Sequence, residues 1–294
     1  GSGGGSGEAS VTIFHGNTER WSCPMTRPAA SSGKWGSGIE LEKVRYRGKN
    51  LLSQAHAPIQ CVLYENNTCG PYRDWNDEEN AFVASGRDLA PGIRHAIPSA
   101  STILENQNDG GNFHGIAAYR EGNEVVLQSE LAAGWYRYIP IWKFNVDGTL
   151  KAWWGYDAVQ NSCTCRPHTH HVYYRFDFNL GDGTNSFYEY NGSMGNWTPT
   201  HIAVEESRDR NDATMRHWRV TDPDSGDVYA IAPGDFFGHH VDGEVDSYGV
   251  ADAWFLQRKS NGIDDSSAGG WGTGPRLNSV VNGERGDNET VVTW

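Results

Sequence analysis

Helix signals are what this chain has least of. No stretch holds a 3.6-residue apolar period over several turns with capping residues, apart from a turn or two near Glu78–Val83. No apolar run approaches the length of a membrane span and no secretory h-region is present, so no membrane association is expected. Basic residues are outnumbered, 24 Lys and Arg against 37 Asp and Glu, for a net charge of -13. Phosphate backbones demand basic patches, so nucleic acid is not an expected partner. No period of 20–50 residues repeats, which argues against a propeller. No charge run or Pro-rich linker divides the chain. Residues 1–7, Gly-Ser-Gly-Gly-Gly-Ser-Gly, read as an engineered linker or tag remnant, and 8–294 as one expected domain.

What is abundant is aromatic and turn-forming. Twelve Trp, 13 Tyr and 10 Phe supply the material of a large core, and 36 Gly spread along the chain suit many tight turns. Short segments with β-branched and aromatic residues at period two recur from Val11–His15 to Thr290–Trp294, among them Ile59–Tyr64, Trp135–Asn145, Leu150–Tyr156 and Val172–Leu180. Turn signals such as Asp147-Gly148, Asp182-Gly183 and Asp242-Gly243 separate them. The expected fold is all-β, an antiparallel sandwich or barrel.

The chemistry concentrates in one stretch, Cys163-Thr-Cys-Arg-Pro-His-Thr-His-His-Val-Tyr-Tyr-Arg-Phe-Asp177. On a strand, His168 and His170 point to one face with Thr169 opposite, so two imidazoles can take two corners of a metal site without backbone strain. Imidazole suits copper, zinc, iron and nickel, so the spacing alone does not name the metal. The competing reading is a merely polar strand end.

The five cysteines are Cys23, Cys61, Cys69, Cys163 and Cys165. Cys61 and Cys69 bracket the short segment Val-Leu-Tyr-Glu-Asn-Asn-Thr and are expected to close a disulfide. Cys163 and Cys165 share a strand face, so one of them is expected to pair with a distant cysteine such as Cys23. With Asn-x-Ser/Thr sequons at Asn66, Asn191, Asn196 and Asn288, the cysteines favour a secreted, periplasmic or extracellular protein.

Between Ala133 and Leu150 the chain reads Ala-Gly-Trp-Tyr-Arg-Tyr-Ile-Pro-Ile-Trp-Lys-Phe-Asn-Val-Asp-Gly-Thr-Leu. This resembles the strand of copper amine oxidases that carries the Tyr converted to topaquinone, with matching positions Gly134, Tyr136, Tyr138, Ile139, Trp142, Phe144, Asp147, Gly148 and Thr149. His168-Thr-His170 followed by Arg175, Asp177, Asp182 and Gly183 resembles the family's metal strand. Gly38–Tyr46, Ile59–Tyr64 and Val291-Val-Thr-Trp294 are similar to three further strands. The resemblance runs from about Ser37 to the C-terminus, strongest between Gly134 and Gly183.

The resemblance implies an antiparallel β-supersandwich and a copper-dependent oxidase. In that family copper and O2 convert the Tyr to topaquinone. The quinone takes up a primary amine as a Schiff base, a carboxylate removes a Cα proton, and hydrolysis releases an aldehyde. It therefore implies Tyr136 as cofactor precursor, Tyr64 as the residue hydrogen-bonded to the quinone, Glu78 as base, an amine and O2 as partners, and a homodimer. Of the copper ligands it implies His168 and His170. The third lies beyond the Val-Val-x-Trp strand in the family, so either the chain is cut at Trp294 or another His serves, with His201 chosen over His239 and His240; His114 is also expected near the site. Two positions depart from the pattern: Trp135 stands where the family has Asn, and Arg137 where it has an acid. A copper enzyme without a quinone, or a non-catalytic descendant, are the alternatives. For Tyr136 to meet the metal, Asp147-Gly148 must turn its strand back, putting it on a strand neighbouring the histidines.

Overall fold

Period-two patterning resolves into twenty short strands in a computed structural model that describes residues 8–28, 31, 38–67, 69, 70, 72–74, 93–95, 102–106, 116–159, 161–192, 198–234, 251–259 and 277–294. In chain order these are β1 (Glu8–His15), β2 (Thr18–Thr26), β3 (Glu40–Tyr46), β4 (Lys49–Tyr64), β5 (Tyr72–Asp74), β6 (Ile93–His95), β7 (Ile116–Glu121), β8 (Glu124–Ser129), β9 (Leu131–Ala133) and β10 (Tyr136–Asn145). There follow β11 (Leu150–Ala158), β12 (His168–Phe178), β13 (Asn185–Tyr190), β14 (Pro199–Ile202), β15 (Glu206–Arg208), β16 (His217–Thr221), β17 (Val228–Ile231), β18 (Ala253–Gln257), β19 (Asp287–Glu289) and β20 (Val291–Thr293). Helix among the described residues is limited to single turns such as Ile103–Asn106 and Leu277–Val280.

Three sheets result. The first runs β1-β2-β3-β4-β12-β20-β18-β15 with β5 on β4, the second β11-β10-β8-β7-β6 with β9 on β10, and the third β14-β13-β16-β17 with β19 on β13. Among the described residues every ladder is antiparallel except the short pairing of β6 with β7. The three sheets share one core: Trp21, Leu41 and Phe178 from the first meet Leu127, Trp142 and Phe144 from the second and Phe187, Trp218 and Val220 from the third. All are nearly inaccessible to water, and apolar burial on this scale is the main term holding the sheets together. The architecture is the expected antiparallel β-supersandwich.

Alternation along β10 buries Tyr136, Tyr138, Trp142 and Phe144 on one face, as their spacing requires. The Asp147-Gly148 turn does send the chain back, and β11 pairs with β10 over its whole length. Gly148 sits at φ +105, where a Cβ would also fall 2.9 Å from the Tyr46 ring, so only glycine fits the turn. The expectation of neighbouring strands fails at the next step. After β11 the chain crosses to the first sheet, where β12 pairs with β4 from His168 to Phe178. Tyr136 and the histidines therefore meet face to face across the gap between two sheets.

Cys163 does pair with a distant cysteine, as expected, but the partner is Cys69 in place of Cys23, so the expected Cys61–Cys69 bond does not form. The disulfide is Cys69–Cys163, with a Cα–Cα distance of 5.9 Å and a sequence separation of 94. Alternation explains it. Val62 and Tyr64 face the second sheet, while Cys61, one residue before Val62, faces the opposite side and packs with Trp254 and Trp294. Cys69 is left on the side where Cys163 arrives. Cys23 and Cys61 are buried thiols outside any disulfide, and Cys165 is an exposed one.

Candidate metal centre

The centre forms where β12 of the first sheet opposes β10 and β11 of the second. Val62 and Tyr64 on β4 pack with Leu131, Ala133, Tyr136 and Tyr138 in an apolar cluster, flanked by Trp135, Trp154 and the Cys69–Cys163 pair. His168 and His170 project into it from one face of β12, with exposed Thr169 turned away. Their rings lie 4.9 Å apart at 70°.

Phenols wall both imidazoles. The Tyr136 hydroxyl is 2.7 Å from His168 Nε2, and its ring stands edge-on to His170 at 4.6 Å. Tyr64 stacks on His168 at 4.9 Å, and Tyr156 stacks on His170 at 4.0 Å from the solvent side. Tyr64 donates a 3.2 Å hydrogen bond to Tyr136 Oη and accepts one of 2.8 Å from Trp135 Nε1. The Tyr138 hydroxyl lies 3.2 Å from His170 Nδ1. The main-chain carbonyl of Arg166 lies 2.6 Å from His168 Nδ1.

Electrostatics favour a neutral His170. Burial, with His168 and His171 as neighbours of like charge, pushes His170 down to about 3. It is therefore the neutral imidazole at neutral pH, the form that ligates metals. Its Nε2 is buried and makes no hydrogen bond with the described residues, a costly arrangement unless something else engages that nitrogen. Burial raises the Tyr136 hydroxyl well above the usual phenol range. Two imidazole nitrogens with a phenol oxygen form a donor set that suits copper, zinc, iron or nickel. No cluster of three or more His, Cys, Asp or Glu able to hold a metal occurs among the described residues.

Of the residues singled out from the sequence, Tyr64, Tyr136, His168 and His170 come together. His201 does not join them. It lies on β14 in the third sheet, where its Nε2 is 2.9 Å from the Asp287 carboxylate and its ring stacks on Tyr188 at 4.8 Å. Glu78, His114, His239 and His240 fall outside the described residues, as do the helical turn expected near Glu78–Val83 and the sequon at Asn196. Tyr156 and Tyr138 were not anticipated as neighbours of His170. The signal was present, because the Asp147-Gly148 hairpin sets Tyr156 directly opposite Tyr138. A cavity of about 350 Å³ opens along the other side of His170, walled by Tyr173, Tyr174, Trp218, Trp254 and Trp294.

No family model matches the chain, and no curated protein sequence does. Solved structures do resemble it. A copper-containing benzylamine oxidase from Hansenula polymorpha superposes with a TM-score of 0.60 over 96% of this chain and 56% of its own, at 13% identity. A lysyl oxidase from Pichia pastoris gives 0.58 over 97% and 50% at 12% identity, and an Aspergillus nidulans amine oxidase 0.55 over 94% and 47% at 11%. This chain thus spans about half the length of these neighbours. At such identities the likeness establishes the fold, which is that of copper amine oxidase structures.

Proposed function

We propose that this chain is a copper-dependent oxidoreductase that oxidises primary amines with O2 through a quinone derived from Tyr136. One observation carries the reading: the Tyr136 hydroxyl stands 2.7 Å from His168 Nε2, beside a His170 Nε2 that is buried and without a hydrogen-bond partner. A phenol placed beside a pair of imidazoles suits copper-assisted ring oxidation. His168 and His170 would hold the metal, with Tyr136 as a third donor. Copper, when bound, supplies O2 activation and the oxidation of that ring.

The chain's own residues do the rest. The Arg166 carbonyl and the Tyr138 hydroxyl fix the two imidazoles from behind. Tyr64 donates to the Tyr136 oxygen and holds the ring between the sheets. The aromatic-walled cavity beside His170 falls in the size range of small-molecule sites, and Tyr136 is not among its walls. Glu78 is the proposed base for proton removal. The Cys69–Cys163 disulfide supports an oxidising, extracellular setting. No helix among the described residues is long and apolar enough to cross a membrane. A homodimer belongs to the same reading and is checked by light scattering.

The deciding experiment is aerobic loading with Cu(II) followed by phenylhydrazine. A coloured adduct, with its mass on the tryptic peptide carrying Tyr136, is expected. Weak d–d absorption with an unmodified Tyr136 peptide would remove the quinone and leave a copper centre acting on O2 directly, the alternative favoured by Trp135 and Arg137. Copper stoichiometry in a His168→Ala, His170→Ala variant tests the ligands, and unchanged binding overturns them.

A further inference from the structure

Three polar groups on the facing walls of the centre are buried without hydrogen bonds. Gln60 on β4 is 1% exposed, yet neither Nε2 nor Oε1 of its amide has a partner among the described residues. The same is true of Trp154 Nε1 on β11 and of His170 Nε2 on β12. A buried amide that loses water and gains nothing is costly, and native interiors seldom leave one so. Three in one region ask for a common partner.

Register brings them together. Strands β12 and β4 pair without a break from His168–Tyr64 to Tyr173–Ile59, so Gln60 stands directly opposite Val172 and diagonally from His170. Alternation puts Gln60 on the face of β4 that carries Val62 and Tyr64, toward the second sheet. Diagonal neighbours on one face lie roughly 7–8 Å apart, within reach of a side chain as long as glutamine. Trp154 comes from the opposite wall. Its ring centre is 6.0 Å from that of Tyr138 and 6.1 Å from that of Tyr174, which follows Val172 on the same face of β12. Its six-membered ring reaches on toward Gly38 and Ala57, where a Cβ built on Gly38 would fall 3.2 Å from Trp154 Cζ3 and 3.5 Å from Ala57 Cβ. The indole thus lies over the part of β4 that leads into Gln60.

The amide offers two N–H groups and a carbonyl oxygen, and the indole offers one N–H. Their match is a small molecule that both donates and accepts and that finds about 2–4 polar partners in a closed interior. We propose that the chain holds a buried water site here, formed by the Gln60 amide and Trp154 Nε1–H, with His170 Nε2 as a third neighbour in the metal-free protein. Water serves as donor or acceptor, so the site stands whichever His170 nitrogen carries the proton. The 350 Å³ cavity borders the same row, since His170, Val172 and Tyr174 are among its walls, and it brings solvent-sized space to the site. Around the site Val62, Leu131 and Ala133 are apolar. Under the amine-oxidation reading this is the water at hand when hydrolysis frees an aldehyde. That link rests on the reading of Tyr136; the site itself does not.

The test uses the metal-free full chain. A crystal structure should show one peak of density within hydrogen-bond reach of both the Gln60 amide and Trp154 Nε1. Gln60→Met keeps the length of the side chain and removes the amide, so urea unfolding reads the state of the pocket by sign. A wet site loses a partner and the midpoint falls, whereas a dry site is relieved of an unpaired amide and the midpoint rises. The fall should also shrink in a Trp154→Phe background, because the two groups share one water. A map with no such peak, a raised midpoint or strictly additive losses each overturn the proposal, and the map decides if a variant fails to fold. Copper loading separates this from the amine-oxidation reading. A Tyr136 peptide left unmodified ends that reading and leaves the water site standing, since map and midpoints are read without metal.

Discussion

Strand β12 carries two polar centres at its two ends, and they solve burial in opposite ways. At the His168–His170 end the walls are phenols and indoles, and hydroxyls and a carbonyl are the partners of the imidazoles. At the Arg175–Asp177 end the partners are charges. Arg175 pairs with Asp177 at 3.0 Å, donates to Gln54 at 3.1 Å and lies over the Trp294 ring, while Arg258 reaches Asp177 at 2.9 Å. Gln54 also bonds Glu40, whose carboxylate is 3.9 Å from His56. Both Arg175 and Asp177 are almost wholly buried. The second centre pairs its charges with one another, although His56 beside it has neither ring nitrogen hydrogen-bonded. The first keeps a ring nitrogen, His170 Nε2, that no described residue hydrogen-bonds.

The sharpest way to break this contrast is to remove one member of each centre. Arg175→Met strands the buried Asp177 carboxylate with Arg258 alone, and roughly 3–5 kcal/mol of stability should be lost. The His168→Ala, His170→Ala variant should lose less, because no buried charge is orphaned. Urea unfolding of both variants measures this, and equal losses would erase the distinction between a structural and a functional centre. Next in size is the Cys69→Ser, Cys163→Ser variant. The disulfide ties the segment after Tyr64 to the segment before His168, and its loss should cost roughly 2–4 kcal/mol. Thermal melts at fixed pH would show it, and a melt unchanged from wild type would mean that the sheets alone hold the site.

Much of this was legible from residues alone, and the limits are instructive. Period-two alternation put Tyr136 with Tyr138 and His168 with His170, because facing depends only on neighbours along one strand. Strand β2, Thr18–Thr26, and the first half of β4 were missed, since Pro24 and Pro58 interrupt runs that bulged pairings with β3 and β12 tolerate. The crossing of the chain from β11 to β12 between sheets leaves no local mark, so the right residues were brought together for the wrong topological reason. The cysteine pairing failed on a single parity: Cys61 faces away from Tyr64, and proximity along the chain hid that. Tyr156 needed the hairpin register carried one step further.

A smaller effect separates the centres by pH. His56 is fully buried with neither ring nitrogen hydrogen-bonded, and burial, then the Arg175 charge, pushes it down to about 3 from its ordinary 6.5. The unfolded chain takes up this proton near 6.5 while the folded chain refuses it until about 3. The His56 contribution is therefore intact above pH 6.5 and is lost progressively as pH falls toward 3. Asp177, raised by burial, gains stability on acidification, so the useful quantity is a difference in which it cancels. Between pH 7 and 5, wild type should lose about 1–2 kcal/mol more than His56→Gln. Parallel pH profiles of the urea midpoint for the two proteins would refute it.

The smallest expected effect carries the most information about the metal. His201 was the sequence-based choice for a third ligand, yet it lies in the third sheet against Asp287, with both side chains about one-third exposed. Asp287 is held below the usual carboxylate range first by the Ser186 hydroxyl and only then by His201. Losing the imidazole therefore leaves the carboxylate its main partner, and His201→Ala should cost less than about 1 kcal/mol. Copper stoichiometry should not change, because His168, His170 and Tyr136 are untouched in another part of the molecule. Metal analysis of the variant after dialysis against Cu(II) decides the point. Loss of copper there would mean that the third sheet closes over the histidine pair when metal binds, and the neutral centre on β12 would be half of a site assembled from two sheets.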